Sequence, residues 1–220
     1  MNLAITIDGG AGAGKSVLAQ TIAKRLSLFY LNTGAFYRII TLFIIKNQKK
    51  PQDISLKDLD ISVKNTKNGV FKIYLNGSDV SDKLYTPEID NTVSEIAIIE
   101  KIRGIAHHLQ RAAVKNISFI AEGRDTGTVI FPEAGLKIYL DAMPEIRAKR
   151  RYLQYKEKKI EKTFDEVLSN IKKRDMIDST RVRDPLKIPE GAILFDNSYL
   201  SIAEEVEIFL PIILSYKETM

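Results

Sequence analysis

Residues 9–16 read Gly-Gly-Ala-Gly-Ala-Gly-Lys-Ser and fit the pattern G-x-x-x-x-G-K-[ST], with Gly9, Gly14, Lys15 and Ser16 in the fixed places. That spacing serves phosphate binding. Gly9, Gly10, Ala11, Gly12, Ala13 and Gly14 carry at most a methyl group, so their backbone N–H groups can converge on an anion together with those of Lys15, Ser16 and Val17. Lys15 has the reach to meet the β and γ oxygens of a triphosphate, and the Ser16 hydroxyl is a ligand for Mg²⁺. A ligand-free glycine turn is the bland alternative, but a chance match to four constrained positions is expected less than roughly once in a hundred chains of this length.

A second set of groups points the same way. Arg38, Arg103, Arg124, Arg174 and Arg181 lie beside glycine, proline or acidic residues rather than inside lysine-rich runs. Planar guanidinium groups grip phosphate at two points, so five of them accompanying a phosphate loop argue for a second phosphate and for a kinase over a hydrolase. Arg147, Arg150 and Arg151 follow Ala142-Met-Pro144, a helix opening; adjacent residues diverge on a helix, so one of Arg150 and Arg151 is expected to face ATP phosphates. His107 and His108 have no second ligand pair nearby, and an exposed structural role is expected for them rather than metal binding.

The elements that must position these groups alternate. Residues 3–7 form an apolar, β-branched run of the kind buried in a parallel strand, and Leu18, Ile22 and Leu26 then recur at helical spacing. Residues 28–31 read as a second strand, Asn32-Thr33-Gly34 as a turn, and residues 35–46 as a helix with Tyr37 and Arg38 in its first turn. Residues 61–66, 70–75 and 78–80 read as short strands separated by turns at Asn68-Gly69 and Asn76-Gly77, a small antiparallel insert. Thr86-Pro87-Glu88 starts a helical stretch reaching about residue 115 with room for a break. Strands are expected at 117–121, 136–140 and 192–195, and capping boxes at Thr163 and Ser201 start the last two helices, the second of which Pro211 should kink or interrupt. Alternation of this kind builds a parallel sheet covered by helices.

At 220 residues the chain supports one sizeable core, and with no Cys there is no disulfide, no Cys-based zinc site and no thiol nucleophile. The net charge of +5 is dispersed, with basic residues beside acidic ones as in residues 156–162, so small anionic ligands are expected and nucleic acid is not. No apolar run has the length of a membrane span and no leader pattern opens the chain, so the expected compartment is the cytoplasm, without membrane partners.

Four segments in order, residues 8–16, 31–38, 121–132 and 174–181, together resemble the bacterial-type cytidylate kinases. The resemblance covers nearly the whole chain. It implies an α/β, three-layer P-loop NTPase fold with a five-stranded parallel sheet, a small antiparallel β insert in the monophosphate-binding lobe, and a helical lid. One nucleoside monophosphate kinase domain, 1–220, would divide into a core of about 1–34, 115–143 and 186–220, a CMP-binding lobe of about 35–114 and a lid of about 144–185. The implied reaction is transfer of the ATP γ-phosphoryl group to CMP or dCMP, with Mg²⁺ on Ser16 and no protein general base, by a monomer. The implied site places Thr33, Arg103, Asp125 and Arg181 on the base, Ser94, Arg174 and Asp178 on the ribose side, and Arg38, Arg124 and Arg181 on the CMP phosphate, with Tyr37 beside them. Lys15, Arg124, Arg174 and Arg181 would carry the transfer. Asp125 suits its implied role, since a carboxylate accepts from the N4 amino group of cytosine where uracil offers an acceptor. A UMP kinase and a P-loop switch module are the alternatives, the switch disfavoured by the lack of an Asn-Lys-x-Asp segment. Two departures stand out: Gly10 where proline is usual, and Arg183-Asp184 where small apolar residues are common.

Overall fold

The computed structural model of the chain describes residues 2–66, 69–157 and 159–220. The elements run β1 (Ala4–Asp8), α1 (Lys15–Leu26), β2 (Phe29–Asn32), α2 (Thr33–Asn47), β3 (Ile61–Asn65), β4 (Phe71–Leu75), β5 (Ser78–Asp79), α3 (Pro87–Ala97), α4 (Glu100–Ala113), β6 (Phe119–Gly123), β7 (Leu136–Asp141), α5 (Pro144–Glu157), α6 (Phe164–Thr180), β8 (Ile193–Asp196) and α7 (Ile202–Glu218). The apolar runs pair in parallel as a five-stranded sheet in the order β2-β6-β1-β7-β8. Its two faces are buried by different helices, because β-branched runs apolar on both sides need cover on both sides. Ile5, Ile7, Leu18, Ile22, Phe209 and Ile213 join α1 and α7 to one face, and Leu31, Phe36, Ile40, Ile102 and Ala121 join α2 and α4 to the other. All five strands end at the same edge, where ligands of open α/β sheets collect. No helix among the described residues is long and apolar enough to cross a membrane.

β3, β4 and β5 form a separate antiparallel sheet. The Asn76-Gly77 turn has φ of 50° and 74° at its two central residues, the left-handed pair that lets a two-residue loop follow the strand twist. The expected turn at Asn68-Gly69 lies partly outside the described residues. Thr86, Thr163 and Ser201 each accept a backbone N–H as helix caps, and the latter two complete capping boxes with Glu166 and Glu204.

Two local expectations are corrected and the break allowed for after Thr86 is located. Asn32-Thr33-Gly34 is not a free turn: Asn32 ends β2 and its side chain accepts from Ala35 N at 3.0 Å, so α2 begins at Thr33. The helical stretch after Thr86 breaks at Ile99, whose φ/ψ of −73°/118° is extended. Pro211 does not interrupt α7. Its missing N–H and ring clash cost about 3 kcal/mol, whereas burial of Val206, Phe209 and Ile213 on the sheet contributes roughly 1.5–3 kcal/mol each.

α5 and α6 form a hairpin with its own small core of Ala148, Val167 and Ile171, closed by a Tyr152–Phe164 edge contact with ring centroids 6.3 Å apart.

Candidate functional site

The phosphate loop leaves β1 through Gly9, at φ 150°, where a Cβ would overlap the Leu140 carbonyl, so no other residue fits. Gly14 caps α1 with left-handed φ/ψ, no side chain caps the helix, and its first turn holds no acid. The positive N-terminus is open to an anion. Lys15 is buried and donates to Gly10 O at 2.7 Å; burial, then the neighbouring Arg124 guanidinium, push its ammonium down to about 7. An approaching triphosphate supplies the missing negative charge.

Ser16 Oγ donates to Glu122 Oε1 at 2.9 Å, and Tyr30 OH donates to the same oxygen at 3.3 Å. Glu122 occupies the penultimate position of β6, so sheet register brings a carboxylate to the hydroxyl. These are hard oxygen donors at the end of a phosphate loop, which is the donor chemistry Mg²⁺ takes. Asp8, the last residue of β1, accepts from Thr126 N and Gly127 N at 2.7 Å each and is pushed up to about 6 by burial. It fixes the single π-helical turn of Thr126–Ile130 that follows Asp125.

The helical hairpin meets the loop through one peptide. Ala11 N donates to Asp175 Oδ1 at 2.9 Å, Ala11 O accepts from Arg147 Nη1 at 2.9 Å, and Arg147 and Asp175 pair at 2.5 Å. A Cβ on Gly10 would stand 2.9 Å from Arg147 Nη1 and 3.1 Å from Asp175 Oδ1, so glycine leaves room for this ring. Of the other two hairpin arginines, Arg150 donates to Asn197 O at 2.6 Å and Asn197 Oδ1 at 3.1 Å, while Arg151 lies over the Tyr155 ring. Asn197 in turn donates to Ala13 O at 2.9 Å, so Arg150 braces the loop from behind.

The sequence-derived arginines and carboxylates converge beside the loop. Arg103 is 2% exposed, ion-pairs with Asp125, and donates from Nε to Asp184 Oδ2 at 2.6 Å and from Nη1 to Ala97 O at 3.0 Å. Its guanidinium lies over the Tyr37 ring, 5.5 Å from the centroid. Arg181 stands 3.4 Å from Asp125 Oδ1 and 3.5 Å from Asp178 Oδ1, and Arg124 Nε donates to Asp178 Oδ2 at 2.8 Å. Burial opposes the charge of Asp125, but His107, Arg103 and Arg181 outweigh it and hold its carboxyl below the usual range. Thr33 Oγ1 donates to Glu122 O at 2.8 Å, which ties the start of α2 to the strand that carries the partner of Ser16. Tyr37 OH is buried without a hydrogen-bond partner among the described residues, a donor left for a ligand.

Arg38 pairs with Asp90 at 2.7 Å and lies over Tyr85. Ser94 is half-buried on α3 and makes no side-chain hydrogen bond among the described residues. Arg174 is half-buried, and among the described residues it has no carboxylate partner; burial, then Arg124, depress its pKa.

Glu122 and Asp175 lie within the four segments without a role expected from sequence, and Asp184 stood out there only as a departure. His107 is not exposed as expected: it is 12% exposed with Nε2 3.4 Å from Asp125 Oδ2, because α4 packs beside the π-helical turn that follows Asp125; His108 is exposed as expected. His107, Asp125 and Asp184 bring ligand atoms within 4.8 Å of one another, but the Arg103 guanidinium occupies their centre. Arg183 stays outside the cluster and pairs with exposed Glu100.

Comparison with known proteins bears on this arrangement. The cytidylate kinase family model matches residues 5–215. A cytidylate kinase of Fusobacterium nucleatum is 44% identical over 207 residues, covering 93% of this chain and 94% of that protein. One from Clostridium botulinum strain Loch Maree is 43% identical over 208 residues, covering 94% and 95%. Among solved structures, an uncharacterized protein of Eubacterium ventriosum superposes with TM-score 0.54 at 11% identity, covering 97% of this chain and 99% of that one. A gluconokinase of Sinorhizobium meliloti gives 0.51 at 14%, covering 99% and 94%. These two likenesses concern the fold alone.

Proposed function

The chain belongs to the cytidylate kinase family and phosphorylates CMP with ATP, and from that premise we propose how its residues divide the work. The phosphate loop 9–17 holds the ATP triphosphate, with Lys15 on the transferring group. Ser16 and Glu122 present oxygens suited to Mg²⁺, which when bound neutralises β and γ oxygen charge. Arg38, Arg124 and Arg181 hold the CMP phosphate, Arg174 meets the charge developing between the two phosphates, and Thr33, Arg103, Asp125 and Arg181 contact the base, with Tyr37 beside them. Ser94, Arg174 and Asp178 serve the ribose side.

No side chain is needed as general base. The CMP phosphate has a second pKa near ~6, so its oxygen is already ionised at neutral pH and attacks the γ phosphorus as the bond to ADP breaks. What remains for the protein is alignment and charge neutralisation. The single observation that supports this reading is the buried Arg103–Asp125–Arg181–Asp178–Arg124 cluster, which follows in sequence directly on Glu122, the carboxylate that accepts from Ser16 of the phosphate loop.

A substrate panel tests it. Rates on CMP and dCMP should exceed those on UMP and AMP, and Asp125→Ala should narrow the preference over UMP by about 1–3 kcal/mol while leaving the KM for ATP in place. A preference for UMP in the wild-type protein would favour the UMP kinase reading, and nucleotide binding without transfer would favour a switch.

We further assign residues of about 35–114 to the CMP-binding lobe and the α5/α6 hairpin to a lid. Asp175 and Arg147 connect that hairpin to the loop, and its tip is charged. A charged tip stays solvated when open and brings arginines inward when triphosphate charge is present. Amide exchange checks this: protection across residues 152–181 should rise when ATP, Mg²⁺ and CMP are added together. Unchanged exchange with ligand bound would make the hairpin a static surface feature. A monomer in the cytoplasm, where both nucleotides are, fits a site drawn from one chain.

A further inference from the structure

Asp184 belongs to neither phosphate site, yet it restrains both arginines that touch Asp125. Its carboxylate accepts from Arg103 Nε at 2.6 Å, and its backbone carbonyl accepts from Arg181 Nε at 2.7 Å. One residue reaches both because its φ of 49° turns carbonyl and side chain to different neighbours, a conformation Asp tolerates better than most residues. The consequence falls on the two oxygens of Asp125. Arg103 and His107 both lie against Oδ2, whereas among the described residues Oδ1 has only Arg181 Nη2 at a loose 3.4 Å. Arg181 Nη2 is itself buried without a hydrogen-bond partner among the described residues.

An acceptor, Asp125 Oδ1, therefore stands beside an unsatisfied donor, Arg181 Nη2. Cytosine presents the complementary edge, an N4 amino donor beside the N3 acceptor; uracil presents the reverse, an O4 acceptor beside an N3–H donor. Without the Asp184 carboxylate Arg103 loses its Nε partner while Arg181 keeps the backbone carbonyl, so Asp125 is held from one side only and the acceptor–donor pair loses its alignment. We infer that Asp184 is a positioning residue that sets discrimination between the two pyrimidine bases by holding Arg103 and Arg181 in place around Asp125. This rests on the reading that Asp125 faces the base.

The test uses Asp184→Gly, which removes the carboxylate at a φ where glycine is unstrained, and Asp184→Asn, which keeps an oxygen for Arg103 Nε and also favours positive φ. Values of kcat/KM for CMP and for UMP are measured at saturating ATP, with Asp125→Ala in parallel. A hydrogen bond to a charged group, once lost, corresponds to about a tenfold to hundredfold change, so Asp184→Gly should lower the CMP-to-UMP ratio by roughly tenfold or more. That loss should fall on the KM for CMP with the KM for ATP unchanged, and Asp184→Asn should restore most of it. In an Arg103→Ala background the Asp184→Gly effect should largely vanish, because the two residues act through one contact. A ratio unchanged in Asp184→Gly while Asp125→Ala abolishes it overturns the positioning role and leaves the base reading standing. A ratio unchanged in both removes the base reading and the positioning role with it.

Discussion

Lys15→Ala should lower turnover by roughly 10²–10³-fold while the fold survives, an effect of the size seen when one group facing developing charge is removed from a preorganised site. The structure explains why activity and stability should part. Lys15 is buried, and its folded pKa of about 7 lies below the ordinary 10.5. The empty fold therefore binds fewer protons than the unfolded chain between those values. The sign follows: the ammonium penalises the empty fold fully below about 7, and the penalty fades as pH rises toward 10.5. A shape-conserving Lys15→Met should thus melt no lower than wild type at pH 7 and should lack the gain in stability between pH 7 and 10.5. Its KM for CMP should change little, because the contact is with the triphosphate. Turnover within a few-fold of wild type in Lys15→Ala would remove Lys15 from the transfer, and a drop in melting temperature in Lys15→Met would show that the ammonium supports the fold instead.

The parts legible in the sequence were those governed by local chemistry. The phosphate loop, the strand alternation, the Asn76-Gly77 turn and the capping boxes at Thr163 and Ser201 each depend on residues a few positions apart, and each is where the chain placed it. What escaped depends on register and on partners distant in sequence. Glu122 meets Ser16 because β6 lies beside β1, a pairing no local pattern encodes. His107 has no ligand pair near it in sequence and so reads as surface; only the packing of α4 beside the π-helical turn that follows Asp125 turns one of the two histidines toward that carboxylate. Pro211 obeyed tertiary burial over local propensity, as large apolar contacts on one helix face ordinarily allow. Carboxylates were undercounted for the same reason. Arginines announce a phosphate site by type alone, but Asp90, Asp175 and Asp184 became recognisable only once the fold put each of them against a guanidinium.

That pairing singles out Arg174, for which the second large effect is expected. Arg38, Arg103, Arg124, Arg147 and Arg181 each have a carboxylate in reach, so their charge is balanced before any nucleotide arrives. Arg174 has none at ion-pair distance among the described residues; desolvation, then Arg124, depress its pKa, and the more distant Asp178 and Asp90 offset that only in part. A half-buried cation beside another cation costs stability unless something anionic joins it, and the phosphates of ATP and CMP are the anions this site receives. Arg174→Ala should therefore reduce kcat by roughly 10²–10³-fold, since a guanidinium matched to charge that peaks in transfer contributes most there. The same variant should melt at the wild-type temperature or above it when empty, and should gain less than wild type from ATP and CMP added together. Arg174→Lys should recover only part of the rate, because an ammonium restores charge without the planar two-point grip. Steady-state kinetics and melting curves with and without both nucleotides decide the matter. A variant that is destabilised when empty yet turns over at the wild-type rate would make Arg174 a structural cation, and the charge between the phosphates would then have to be met by Lys15 and Arg124 alone.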